Sequence, residues 1–142
     1  MPEITLKQVS TESYEAHTPG GIVKFGDGSP GPMTTTAAAL AGCLAMSVME
    51  TLEVMRQKVD HIELKTTFER KEEEPKIFKH FKIHITFRGE NLSHAKIEKA
   101  LHLSEEKTCP MSVMMRLVGA KVETTFTVVK LNPPTTMTPA ME

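Results

Sequence analysis

Thr34-Thr35-Thr36-Ala37-Ala38-Ala39-Leu40-Ala41-Gly42-Cys43-Leu44-Ala45-Met46-Ser47-Val48-Met49 is the stretch on which the architecture turns. Its apolar residues recur at three- and four-residue steps. Ala37, Leu40, Ala41, Leu44, Val48, Leu52 and Met55 fall on one helical face. Ala39, Cys43 and Met46 open a second stripe, which Glu50 and Glu53 continue. The pattern predicts a helix from about Thr36 to Gln57, with Thr34, Thr35 or Thr36 as the capping hydroxyl. Apolar groups on both stripes of its first half call for burial from two sides. A small chain meets that demand by wrapping the helix in its own sheet or by bringing in a partner.

Upstream, residues 3–9, 12–17 and 21–25 read as short strands, with Gly20-Gly21 as a turn. The loop Gly26-Asp27-Gly28-Ser29-Pro30-Gly31-Pro32 continues neither strand nor helix. Downstream comes a hairpin. Ile62, Leu64, Thr66 and Phe68 alternate with polar residues, as do Phe81, Ile83, Ile85 and Phe87, giving half-solvated antiparallel strands. The charge run Lys71-Glu72-Glu73-Glu74-Pro75-Lys76 between them is a solvated turn. Ser93 is placed to cap a second helix with Ile97, Ala100, Leu101 and Ser104 on its inner face. Cys109-Pro110 opens a short third helix, since proline suits the first helical position, and Gly119 ends it. Val122, Thr124, Phe126 and Val128 alternate as a last strand. The order predicts an α+β domain with an antiparallel sheet.

The chain has 142 residues, 39% of them apolar and 25% charged, with a net charge of -1. That suits one domain, residues 1–130, followed by a loose proline-containing tail, residues 131–142. Scattered lysines and only four arginines (Arg56, Arg70, Arg88 and Arg116) leave no electrostatic footprint for nucleic acid. The N-terminus lacks the basic start and apolar core of a signal peptide. The apolar run from Ala37 to Met49 is too short to span a bilayer and reads as a core helix. A soluble cytoplasmic protein, away from membranes, is the expectation.

Gly26-x-Gly28-x-x-Gly31 fits the dinucleotide fingerprint letter by letter. That motif needs a parallel strand before it and another after the helix, whereas the strands after this helix form a hairpin. A plain turn is the better reading. His80 and His84 stand four residues apart in a strand pattern, roughly 13 Å, too far to share one zinc ion. The two cysteines are more suggestive. A thiolate that attacks a peroxide becomes a sulfenic acid, which a second cysteine can capture as a disulfide. Cys109, at a helix N-terminus, is placed to have its pKa lowered by the dipole. From the local contexts alone, redox chemistry and inert packing both stay open.

Taken together, Thr34 to Cys43 ahead of a long helix and Ser104-Glu105-Glu106-Lys107-Thr108-Cys109-Pro110-Met111-Ser112 resemble the OsmC/Ohr family, the osmotically inducible and organic hydroperoxide resistance proteins. The likeness runs from about residue 3 to 129 and includes the loop Ser29-Pro30-Gly31-Pro32. It implies an OsmC-like fold, with antiparallel sheets around a long central helix, and an intertwined homodimer in which the central helices pack together. It also implies a thiol-dependent peroxidase acting on organic hydroperoxides, with Cys43 as peroxidatic and Cys109 as resolving thiol. A lipoyl-type or other small dithiol would be the reductant, and neither a metal nor an organic cofactor would take part. The alternative within the family is a non-catalytic dimer that holds an apolar small molecule in its interface cleft. Two positions depart from the pattern of the catalytic members. Met33 and Thr34 follow Pro32 where those members place an acidic residue, and no arginine precedes Arg56. Lys7 or Lys24 could supply charge without guanidinium geometry, and Arg116, two helical turns beyond Cys109, is the candidate substitute.

Overall fold

Three strands, a long helix, two more strands, two short helices and a final strand follow one another in the computed structural model, which describes residues 1–130. The expected tail, residues 131–142, lies outside the described residues. The chain clusters into two compact units, Met1–Ala38 and the part from Ala39 onward.

In the first unit, β1 (Thr5–Ser10), β2 (Ser13–Thr18) and β3 (Gly21–Gly26) form an antiparallel meander in that order. Its register puts Leu6 opposite Ala16 and Ala16 opposite Val23, so one face is apolar. The other face carries the row Lys7–Glu15–Lys24, opposite charges side by side. Thr18 closes the second turn by accepting hydrogen bonds from the Gly20 and Gly21 amides at 3.2 and 3.1 Å. Gly26, at φ 91°, is obligatory, because a Cβ there would stand 1.9 Å from the Glu12 carbonyl oxygen. The strand before the Gly26–Gly31 loop is thus antiparallel to its neighbour, which rules out the dinucleotide geometry.

Helix α1 (Pro32–Val54) starts four residues before the expected Thr36. Pro32 has the fixed φ of a first helical residue and no amide to waste. The Thr35 and Thr36 hydroxyls do not cap. They bond backwards to the carbonyls of Gly31 and Pro32 at 2.9 and 2.8 Å. At the other end the Gln57 amide reaches the Leu52 carbonyl at 2.8 Å and the Arg56 amide reaches that of Glu53 at 3.0 Å, a Schellman closure. Arg56 takes the left-handed position, at φ 62°.

In the second unit β4 (His61–Arg70), β5 (Phe78–Arg88) and β6 (Lys121–Val129) form one sheet in that order. β4 and β5 pair antiparallel as expected, but β6 runs parallel to β5. This corrects the all-antiparallel reading. A parallel neighbour needs a crossover of a dozen or more residues, and the helical segment between β5 and β6 provides it. That crossover holds α2 (His94–Leu103), a π-helical turn (Ser104–Thr108) and α3 (Pro110–Leu117). Inner-face rows run Phe68–Phe81–Val122, Thr66–Ile83–Thr124 and Leu64–Ile85–Phe126.

The core is drawn from Leu40, Leu44, Val48 and Leu52 of α1, Phe81, Ile83, Ile85 and Phe87 of β5, and Ile97, Ala100 and Leu101 of α2, all buried. By length and composition α1, at 23 residues and mean hydropathy 1.5, could cross a membrane, which the shorter apolar run in the sequence did not suggest. Its buried stripe, Leu40, Leu44, Val48 and Leu52, packs it into the core of the domain. The opposite side, with Ala39, Gly42 and Met46, is exposed.

Candidate functional site: a poised dithiol

Cys43 lies in the middle of α1, half-buried, and Cys109 lies fully buried at the mouth of α3. The fold brings their sulfurs to 3.2 Å, with the Cys109 thiol donating to Cys43 Sγ. A disulfide requires about 2.05 Å, so bond formation asks for a shift of roughly an ångström.

Cys109 is the N-cap of α3, as its place before Pro110 predicts. Its sulfur accepts from the Ser112 amide at 3.5 Å. The expected lowering of its pKa by the helix end is overturned. Burial, and after it the hydrogen bond to Cys43, push the thiol up to about 11, and the amides of Ser112 and Met111 only partly oppose this. Losing solvent outweighs two weak donors to sulfur. Cys109 therefore stays protonated at neutral pH, which is what lets it donate to Cys43.

The crossover that carries Cys109 is fixed by polar contacts that the sequence did not announce. Arg116 donates from one Nη2 to Glu105 Oε1 at 3.1 Å and to the Val122 carbonyl at 3.0 Å. The Thr124 hydroxyl donates to the other Glu105 oxygen, and the Ser112 hydroxyl donates to the Glu105 carbonyl at 3.2 Å. Arg116 is thus committed to tying α3 to the π turn and β6, and its hydrogen bonds go to neither thiol. As a substitute activating guanidinium it is not engaged. Lys7 and Lys24 sit in the charged row of the meander, flanking Glu15.

On α1, Ser47 stands one helical turn beyond Cys43. Its hydroxyl meets those of Ser104 at 3.1 Å and Thr108 at 2.5 Å, the first and last residues of the π turn. The i,i+4 spacing from Cys43 to Ser47 was readable as a shared face. The partners were not, because no periodic pattern marks a five-residue π turn.

His80 and His84 are occupied on the outer face of the second sheet. His80 Nε2 pairs with Glu123 at 2.5 Å, which helps hold that carboxyl below its ordinary pKa, and His84 bonds Thr125 and Thr127 at 2.7 and 2.9 Å. A depression of about 420 Å³ there, bordered by Lys65, Lys82, His84 and Glu123, contains neither cysteine. Among the described residues no group of three or more His, Cys, Asp or Glu is placed to hold a metal ion.

The model of the family described as OsmC-like protein matches residues 25–125. The chain belongs to the OsmC-like family. Protein YhfA of Escherichia coli K12 is 39% identical over 90 residues, 63% of this chain and 67% of YhfA. Among solved structures, a hypothetical protein of Aquifex aeolicus VF5 superposes with a TM-score of 0.85 at 23% identity, covering 93% of this chain and 98% of that one. The organic hydroperoxide resistance protein OhrB of Bacillus subtilis superposes at 0.64 with 16% identity, over 89% of this chain and 98% of that one. At these identities the structures carry the fold alone. In this chain both halves of the motif first noticed in the sequence, the helix-borne Gly42-Cys43 and the Cys109-Pro110 cap, meet at one point.

Proposed function

We propose that the protein is a thiol-dependent peroxidase that reduces organic hydroperoxides, with Cys43 as the attacking thiol and Cys109 as the resolving one. The observation that carries the reading is the 3.2 Å contact between one partly exposed sulfur and one buried, protonated sulfur. The name of the family relative OhrB, an organic hydroperoxide resistance protein, points to the same substrate class.

The Cys43 thiolate attacks one oxygen of the hydroperoxide and the O–O bond breaks. The alcohol leaves with a proton, and Cys43 is left as a sulfenic acid, two electrons having passed from sulfur to the peroxide. Cys109 then attacks the Cys43 sulfur. The S–S bond forms, and the sulfenic hydroxyl departs as water with the Cys109 proton. An external dithiol of the lipoyl class restores both thiols by exchange. Division of labour follows from exposure: peroxide reaches Cys43, while Cys109 waits behind it.

Without a guanidinium from the N-terminal strands or an acid after Pro32, activation of Cys43 falls to the Cys109 S–H hydrogen bond. Turnover should accordingly be modest. The protein would work in the cytoplasm as a homodimer joined through the exposed side of α1.

Intact-mass analysis after one equivalent of cumene hydroperoxide tests the chemistry. Wild type should lose about 2 Da as the disulfide closes. Cys109→Ser should stop at a Cys43 sulfenic acid that dimedone traps, and Cys43→Ser should not react. An unchanged mass in the wild-type protein would favour the non-catalytic, ligand-holding dimer instead.

A further inference from the structure

Ser47 has a single proton, and its hydroxyl donates it to Ser104 Oγ, so Thr108 must be the donor in the 2.5 Å contact with Ser47. Ser47 and Ser104 are buried in a predominantly apolar core. Two hydroxyls buried there, joined to that of the more exposed Thr108, contribute less burial than methyls would, so their geometry invites a reason.

That geometry closes a loop around the thiols. From Cys43 the path runs one turn along α1 to Ser47, across to Thr108, one residue along the chain to Cys109, and 3.2 Å back to Cys43. The Cys109 amide also donates to the Ser104 carbonyl at 2.9 Å, five residues back, which is the bond that makes the turn π-helical. Both ends of that turn are therefore fastened to the same hydroxyl of α1. An α-helical continuation would hold one residue fewer per turn and would present position 109 to α1 at a different angle.

We infer that Ser47, Ser104 and Thr108 form a hydroxyl clasp that holds the π turn against α1 and so keeps Cys109 in register with Cys43 for disulfide closure. The role rests on the dithiol reading above and is one of positioning, since none of the three hydroxyls touches a sulfur. Loss of the clasp leaves both thiols in place but lowers their effective concentration for each other. Closing the bond joins the sulfurs and releases two electrons and two protons to the oxidant. When oxidised dithiothreitol is that oxidant, it leaves as the reduced dithiol.

The experiment equilibrates the full chain with reduced and oxidised dithiothreitol and counts free thiols by alkylation and intact mass. Ser47→Ala and Thr108→Val should lower the disulfide equilibrium constant about ten-fold, a shift of about 30 mV toward easier reduction. Thr108→Ser, which keeps the hydroxyl, should stay within roughly two-fold of wild type, whereas a purely steric role for Thr108 would not distinguish serine from valine in that direction. If Ser47→Ala or Thr108→Val fails to fold, Ser104→Ala, which removes only the longer arm, decides with an expected loss of about three-fold. Equal constants in wild type and folded clasp variants overturn the inference, as does a Thr108→Ser loss matching that of Thr108→Val. No peroxide is present, so the two readings fail separately. A clasp effect in a protein that leaves hydroperoxides untouched would sink the peroxidase and keep the clasp.

Discussion

Cys43 and Cys109 touch, yet they differ in everything that decides reactivity. Cys109 is fully buried and its thiol is raised from an ordinary 9.0 to about 11, whereas Cys43 keeps a path to solvent. Iodoacetamide at pH 8 should therefore modify Cys43 at least ten-fold faster than Cys109, whose raised thiol offers little thiolate and whose burial bars the reagent. Peptide mapping of partly alkylated protein reads the ratio, and equal labelling would contradict it. The same shift has a stability consequence with a definite sign. A thiol whose pKa is raised by folding contributes stability below its unfolded pKa, and that contribution is lost as pH climbs through the folded value. Reduced wild type should accordingly lose stability between about pH 9 and pH 11 relative to Cys109→Ser, measured as the difference in urea midpoints. At this scale the cap role of Cys109 was legible in the sequence, and the two sulfurs it singled out lie in contact. It misjudged the direction of the Cys109 shift, because a helix N-terminus is visible in a sequence and the depth of burial around it is not. Arg116 shows the same limit: its helical spacing from Cys109 was visible, but its engagement by Glu105 and Val122 was not.

Among the elements, α1 and α3 end in the same Schellman hydrogen bonds around a residue of positive φ, Arg56 in one and Gly119 in the other. The left-handed position costs an L-residue roughly 1–2 kcal/mol, and a Cβ at Gly119 would meet nothing within 4 Å, so conformation alone sets its penalty. Arg56→Gly should stabilise by about 1 kcal/mol and Gly119→Ala should destabilise by about the same, read from denaturant unfolding. Effects of the same sign would contradict that account. The strands and helices were largely legible because alternation and three-to-four spacing survive in Ile62–Phe68, Phe81–Phe87 and Ile97–Leu101. Two features were not. Val122–Val128 alternates identically whether its neighbour is parallel or antiparallel, so the direction of β6 depends on the crossover path. The π turn leaves no repeat to read over five residues.

For the whole molecule, the sequence left two covers open for the second side of α1, its own sheet or a partner, and among the described residues that side is exposed. Leu40, Leu44, Val48 and Leu52 are buried on one side, while Met46 on the other keeps 68% of its surface exposed, beside exposed Ala39 and Gly42. The meander repeats the pattern on its own scale, with Leu6 and Val23 of its apolar face open to solvent. Small residues at Ala39 and Gly42 would let a second helix backbone approach closely, which favours another copy of α1 as the cover. Burying one methionine side chain is worth about 1.5–3 kcal/mol, and a micromolar dimer needs about 8 kcal/mol in all, so several such groups must contribute from each copy. Met46→Lys separates the two states cleanly. On an exposed helix the substitution should alter chain stability by no more than about 0.5 kcal/mol, but in a helix–helix seam it buries an unpaired charge at a cost of several kcal/mol. Wild type should sediment as a dimer at micromolar concentration, with Met46→Leu unchanged and Met46→Lys shifted to monomer or to an unfolding midpoint that depends on protein concentration. A wild-type protein that sediments as a folded monomer would show that the open side of α1 needs no partner.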